Sequence, residues 1–186
     1  MLKPASRKVT YEDIEALPEN LIGEIIDGEL IAVPRPSYLH SHVASSLTEE
    51  ISGPFQKGKG GPGGWILLYE PEVRLGRNLL VPDLAGWKKD RLTTPPDKNY
   101  ATTPPDWICE ILSPSTIRTD RIRKMPLYAR FGVDHAWLID PAAKTVEVFG
   151  LMSDRWVLMS VHGENECIRA EPFQAVEIAL EHLWWE

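Results

Sequence analysis

Two acidic residues stand in apolar surroundings where a charge is costly. Glu110 lies within Trp107-Ile108-Cys109-Glu110-Ile111-Leu112, and Asp83 follows Pro82 within Leu79-Leu80-Val81-Pro82-Asp83-Leu84-Ala85. A carboxylate buried in such a run needs a partner. Carboxylates that converge from separate elements can hold a hard cation. Mg²⁺ takes oxygen ligands and keeps several waters, so two carboxylates commonly suffice. The ion polarises a phosphoryl oxygen and lowers the pKa of a bound water, while a nearby positive side chain stabilises developing negative charge. Those are the requirements of phosphodiester hydrolysis. The alternative for Glu110 is a buried salt bridge or a strand end that reaches solvent. For Asp83 it is a turn or bulge, because proline in sheets is confined to edges and bulges.

The elements that must position these acids can be read from the pattern. Thr10-Tyr11-Glu12-Asp13 starts a short helix that ends near Leu17-Pro18. Residues 22–33 are two apolar runs around Asp27-Gly28, a hairpin signal. Val43, Leu47 and Ile51 recur at four-residue steps and give 40–52 one apolar helical face. Gly53 to Gly64 reads as loop; Lys57 and Lys59 are each followed by Gly, so it is no phosphate-binding P-loop. Strands are expected at Trp65–Tyr69, Glu72–Leu75, Leu79–Lys88 and Trp107–Leu112. A long Pro-rich connection from Lys89 to Asp106 separates the last two and carries Thr-Thr-Pro-Pro-Asp twice. Residues 116–131 read as helical up to Gly132, with Pro126 either kinking the helix or starting a second one. Strands at 133–140 and 145–149 flank Asp140-Pro141-Ala142-Ala143, followed by 155–161 and a last region up to Trp184-Trp185. Alternating helix and strand in the middle, with hairpins at both ends, predicts a mixed α/β sheet.

Composition narrows the class. The 186 residues suit one domain, 1–186, and 43% apolar with 25% charged residues is an ordinary globular balance. The 20 Lys and Arg against 27 Asp and Glu give a net charge of −7. Proteins that coat nucleic acid bind by neutralising phosphates, so this total speaks against that class. It leaves room for an enzyme with a local acidic site. Cys109 and Cys167 show no CxxC spacing and read as free thiols of a reducing compartment. Met1-Leu2-Lys3-Pro4 has no apolar run behind it, and no stretch is long and apolar enough to span a membrane. The expected location is cytoplasmic, with no membrane partner.

Seven pieces in order carry a resemblance. They are Glu24 to Leu30 (EIIDGEL), His40 before an apolar helix, Pro82-Asp83, and Glu110-Ile111-Leu112-Ser113-Pro114-Ser115-Thr116. Asp120 with Lys124, Tyr128 with Gly132-Val133, and Trp137-Leu138-Ile139-Asp140-Pro141 follow. Together, from Tyr11 to Asp140, they resemble the Uma-two family of endonucleases, within the restriction-endonuclease-like PD-(D/E)xK superfamily. The resemblance implies a restriction-endonuclease-like core, an α+β arrangement with a central mixed sheet flanked by helices and extra hairpins. It implies Mg²⁺ (or Mn²⁺) held by Asp83 and Glu110, with the Ile111 carbonyl as a further ligand. The superfamily's lysine two residues after the acid is replaced here by Leu112, and Lys124 matches the lysine that serves instead in the family. Glu24 matches the family's early acid and would complete the site. His40 matches its early histidine, and Asp120 stands one helical turn before Lys124, where it would orient the ammonium.

Each assignment has a plainer alternative. Lys124 would be a solvated lysine, Glu24 an exposed strand residue, His40 a helix-start residue, and Arg118, Arg121 and Arg123 a wet face rather than a phosphate grip. Asp27-Gly28 reads as hairpin, and Tyr128 and Trp137 as core or interface aromatics. The expected function is metal-dependent DNA phosphodiester hydrolysis by a homodimer. The competing readings are a catalytically silent interaction or regulatory module of the same fold, and a nuclease for RNA or for branched or single-stranded nucleic acid.

Overall fold

The computed structural model describes residues 7–185, so the reading of Met1-Leu2-Lys3-Pro4 lies outside the described residues. The chain begins with helix α1 (Tyr11–Glu15), closed at its start by a Thr10/Asp13 capping box. Strands β1 (Leu21–Ile26) and β2 (Glu29–Pro34) form the expected hairpin. Asp27 and Gly28 both have positive φ, 54° and 85°, the turn that matches strand twist. Helix α2 (Tyr38–Ile51) follows, capped by Ser37, and buries Val43, Ala44, Leu47 and Ile51.

The helix does not stop where glycine and proline predicted a loop. It runs on into a wide, π-type turn over Ser52–Gln56. Pro54 is tolerated there, and Phe55 is buried against Phe173 with ring centroids 4.7 Å apart. The remaining glycines fold back so closely that a Cβ at Gly61 would collide with Pro54.

Two sheets follow. Strands β3 (Trp65–Tyr69), β4 (Glu72–Leu75), β5 (Asn78–Leu80), β6 (Leu84–Lys88), β7 (Tyr100–Ala101) and β8 (Trp107–Ile111) are divided between them. One sheet has the order β2-β1-β5-β4-β7. The other is completed by β9 (His135–Asp140), β10 (Thr145–Met152) and β11 (Arg155–Gly163), in the order β11-β10-β9-β8-β6-β3. It is mixed: β8 and β9 are parallel and its other pairs antiparallel. A small β12 (Cys167–Ile168)/β13 (Ile178–Ala179) pair and a 3₁₀ turn at Leu180–Leu183 end the fold.

The expected single strand Leu79–Lys88 is therefore two strands in two sheets. Pro82 cannot donate to a ladder, and at Val81-Pro82-Asp83 the chain crosses from one sheet to the other. The expected helix 116–131 is α3 (Ile117–Thr119), a π-type turn (Asp120–Lys124) and α4 (Met125–Arg130) in succession. Pro126 sits in the first turn of α4, where its missing N–H costs nothing.

β8 is buried on both faces. Trp107, Cys109 and Ile111 look toward α2 and the C-terminal segment, in a core that includes Trp137 and Phe173. Ile108 and Leu112 look the other way, into a second core with Ala85, Trp87, Tyr128 and Leu80. Glu110 shares that second face by alternation.

Candidate active site

The crossover at Pro82 leaves backbone groups without ladder partners, and side chains take them. Val81 donates its N–H to Glu24 Oε1 at 2.7 Å, and its carbonyl accepts from Lys124 Nζ at 3.2 Å. Next to it, the β6–β8 ladder ends at Leu84 and Cys109. Beyond that end, Asp83 Oδ2 accepts the Ile111 N–H at 2.6 Å, so a side chain continues what the backbone cannot. The site is thus built on the seam between two sheets.

Lys124 is the hub. Its Nζ lies 2.8 and 2.9 Å from the two Glu110 oxygens, 3.1 Å from Glu24 Oε1 and 3.7 Å from Asp120 Oδ1. Tyr128 donates its O–H to Glu110 Oε1 at 2.6 Å. Only 4% of the Lys124 side chain and 2% of that of Glu110 is exposed. Burial opposes the Lys124 charge, but Glu110 and then Glu24 hold its pKa well above the usual value, so the ammonium persists. Burial and the neighbouring Glu110 charge push the Tyr128 hydroxyl well above its ordinary range, so it remains an O–H donor. Asp120, also buried, is pushed up to about 6, mainly by desolvation. The lysine is therefore a buried cation, and its alternative as a solvated surface residue does not hold.

Asp83 is more open, with 16% of its side chain exposed, and its Oδ1 meets His40 Nε2 at 3.1 Å. Desolvation lowers the His40 pKa, but the hydrogen bond and charge of Asp83, together with the charges of Glu70 and Asp120, outweigh it and leave the pKa raised. Asp83, Glu110, Glu24, His40, Asp120 and Lys124 all line one cleft of about 200 Å³. Arg121 does not; it forms a bidentate pair with Glu147 on β10, at 2.8 and 3.0 Å. Arg123 bonds Ile26 O and Glu29, and Arg118 is exposed. None of the three arginines lines the cleft.

Three groups in the cleft were not singled out from sequence. Glu70 lines it beside Asp83, Arg35 stands at its wall, and the Ser113/Ser115/Thr116 hydroxyls form a cluster, Ser113 Oγ lying 2.9 Å from Ser115 Oγ. Tyr128, read as a core aromatic, is one, yet its hydroxyl serves the cleft. A buried tyrosine usually finds a partner for its O–H, and that is the one sequence signal that could have linked Tyr128 to a buried acid.

The donor set suits a hard cation. Five carboxylates, those of Glu24, Glu70, Asp83, Glu110 and Asp120, face one lysine and one arginine. Among the described residues, no three His, Cys, Asp or Glu side chains converge as a ready-made cage. Mg²⁺ does not need one, since it retains several waters. One buried oxygen, Glu70 Oε1, has no hydrogen-bond partner.

No helix among the described residues is long and apolar enough to cross a membrane. No curated protein matches the chain. Among solved structures, it is similar to one described as "a putative nuclease belonging to DUF820 from Anabaena variabilis". The two share 25% identity over 95% of this chain and 97% of that one, with a TM-score of 0.74. The fold is thereby the restriction-endonuclease-like α/β fold expected from the sequence. The family model described as "Putative restriction endonuclease" matches residues 10–181, and the chain belongs to that family, Uma2 (Uma-two).

Proposed function

We propose that this protein is a divalent-cation-dependent endonuclease that hydrolyses DNA phosphodiester bonds. Membership of a family described as restriction endonucleases supports the reaction class. The observation that carries the reading is Lys124 Nζ within 2.9 Å of both Glu110 oxygens, in the cleft that Asp83 lines. Asp83 and Glu110 would hold Mg²⁺ or Mn²⁺, with Glu24 in support through Val81 and Lys124. When bound, such a cation polarises a phosphoryl oxygen and lowers the pKa of water. The Glu110 and Glu24 carboxylates raise the Lys124 pKa and so favour its charged form, and Lys124 would act through that charge. It offers positive charge to developing negative charge and can orient a water. His40 and the Ile111 N–H fix the Asp83 carboxylate from two sides. Tyr128 and Lys124 do the same for Glu110. A homodimer would place two such clefts on one duplex.

The test is plasmid nicking with Mg²⁺ or Mn²⁺ by wild type, Asp83→Asn and Glu110→Gln, together with matched duplex, single-stranded and RNA oligonucleotides. Loss of at least about a hundredfold in both variants, and of all activity with chelator, is the expected result. Equal rates in all three proteins would refute the assignment, and preference for RNA would redirect the substrate.

A further inference from the structure

We infer that Glu70 is a cation ligand of this cleft, acting beside Asp83; this rests on the metal-dependent reading above. Glu70 immediately follows β3, and Asp83 immediately precedes β6. The antiparallel register ends with Tyr69 opposite Leu84. One step further on, Glu70 donates its backbone N–H to the Asp83 carbonyl at 2.9 Å. The two acids are therefore opposite one another, where cross-strand side chains share a face. Like charges directly opposite destabilise a sheet; His40 pairs with Asp83 and Arg35 lies near, and a cation between the two acids would relieve the remaining repulsion.

Three further observations set Glu70 apart from an ordinary surface acid. Its Oε1 is buried without a hydrogen-bond partner. No lysine or arginine forms an ion pair with it among the described residues, in contrast to Glu110, Glu24 and Asp120, which share Lys124. Its backbone is held at φ 45°, a conformation uncommon for a residue with a Cβ. Glu110 has the opposite problem. Its Oε1 already receives Tyr128 and Lys124, and its Oε2 receives Lys124 again, which leaves it little free lone-pair capacity. Glu110 thus has about one lone pair left for a cation, and Glu70 would supply a further oxygen beside it and Asp83.

The test uses the full chain without nucleic acid, titrated with Mn²⁺ by calorimetry and by thermal melting. The variants are Glu70→Gln, Asp83→Asn and, as a distant control, Glu147→Gln. Glu70→Gln should weaken Mn²⁺ binding at least about tenfold, as losses around metal sites commonly do. It should also raise the melting temperature of the cation-free protein, because it removes a partly buried like charge opposite Asp83, and shrink the Mn²⁺-induced rise. A purely structural Glu70 would instead lower the cation-free melting temperature and leave the Mn²⁺-induced rise intact. Binding within twofold of wild type in Glu70→Gln, with Asp83→Asn impaired, would overturn the role of Glu70 alone. No Mn²⁺ binding by wild type would overturn this inference together with the metal-dependent function. Should Glu70→Gln fold poorly, Glu70→Asp gives the same decision: it keeps the charge, shortens the reach, and should weaken Mn²⁺ binding without raising the cation-free melting temperature.

Discussion

Replacing Lys124 with methionine should be among the most damaging single changes in the molecule. The substitution keeps much of the side-chain volume and removes one charge. Around Nζ it leaves Glu110, Glu24 and Asp120, at 2.8, 3.1 and 3.7 Å, without their common cation. Breaking a buried pair by removing one partner costs about 3–5 kcal/mol, because the other charge remains buried and uncompensated. For a chain of this length that corresponds to a fall in Tm of roughly 6–20 °C. The loss must depend on pH. Without Lys124 the buried Glu110 carboxyl binds its proton more tightly when folded than when unfolded. That contribution is present at low pH and is lost as pH rises through the folded pKa. The deficit should therefore be larger at pH 8 than at pH 5. The double variant Lys124→Met/Glu110→Gln should recover roughly 1–3 kcal/mol of it, the usual size of coupling between contacting groups. Urea denaturation of all four members of the cycle at both pH values is the assay. A Lys124→Met protein as stable as wild type at pH 8, or one that Glu110→Gln does not rescue, would refute the ion-pair reasoning.

Two further perturbations probe the same cluster from its edges. Tyr128→Phe removes the donor to Glu110 Oε1 and should cost about 1.5–3 kcal/mol, the range for hydrogen bonds to charged groups, read by the same denaturation. Asp120 holds its proton up to about 6 against a usual 3.8, so its stabilising contribution is full below 3.8 and lost as pH passes about 6. Asp120→Asn should accordingly be more stable than wild type at pH 7.5, by up to roughly 3 kcal/mol, with the gap closing near pH 4; an equal gap at both pH values would contradict the burial argument.

What could be read from the sequence was what local pattern determines. The apolar run Trp107–Leu112 leaves Glu110 either buried with a partner or at a strand end that reaches solvent, and the two cores that take up its neighbours bury it. Asp27-Gly28 defines its own turn. Lys124 and Arg121, by contrast, are basic residues on one segment, and only the phase of the helix decides which of them enters the cleft. The π-type turn at Asp120–Lys124 resets that phase, and a regular 3.6-residue repeat does not anticipate it. Leu79 to Lys88 reads as one strand since apolar residues continue across Pro82, whereas the change of sheet is a long-range event. Glu70 lies in Tyr69-Glu70-Pro71-Glu72, which looks like exposed turn. Its importance comes only from the register that sets it against Asp83, a pairing between residues on different strands.

The seam between the sheets explains why the chemistry is concentrated where it is. Within a ladder, backbone groups satisfy one another and leave side chains no polar work. At Val81-Pro82-Asp83 the ladder is interrupted on both sides, so Glu24, Lys124 and Asp83 are drawn in to satisfy Val81 and Ile111. The same bonds that repair the backbone fix the carboxylates in place. Those carboxylates outnumber the local cations, which bears on the net charge of −7. A polyanion approaching the bare cleft meets repulsion, and a bound divalent ion would reverse the local sign. Cation binding would then come before productive binding of nucleic acid, and the acidic balance of the chain would act as a gate on its substrate rather than as evidence against it.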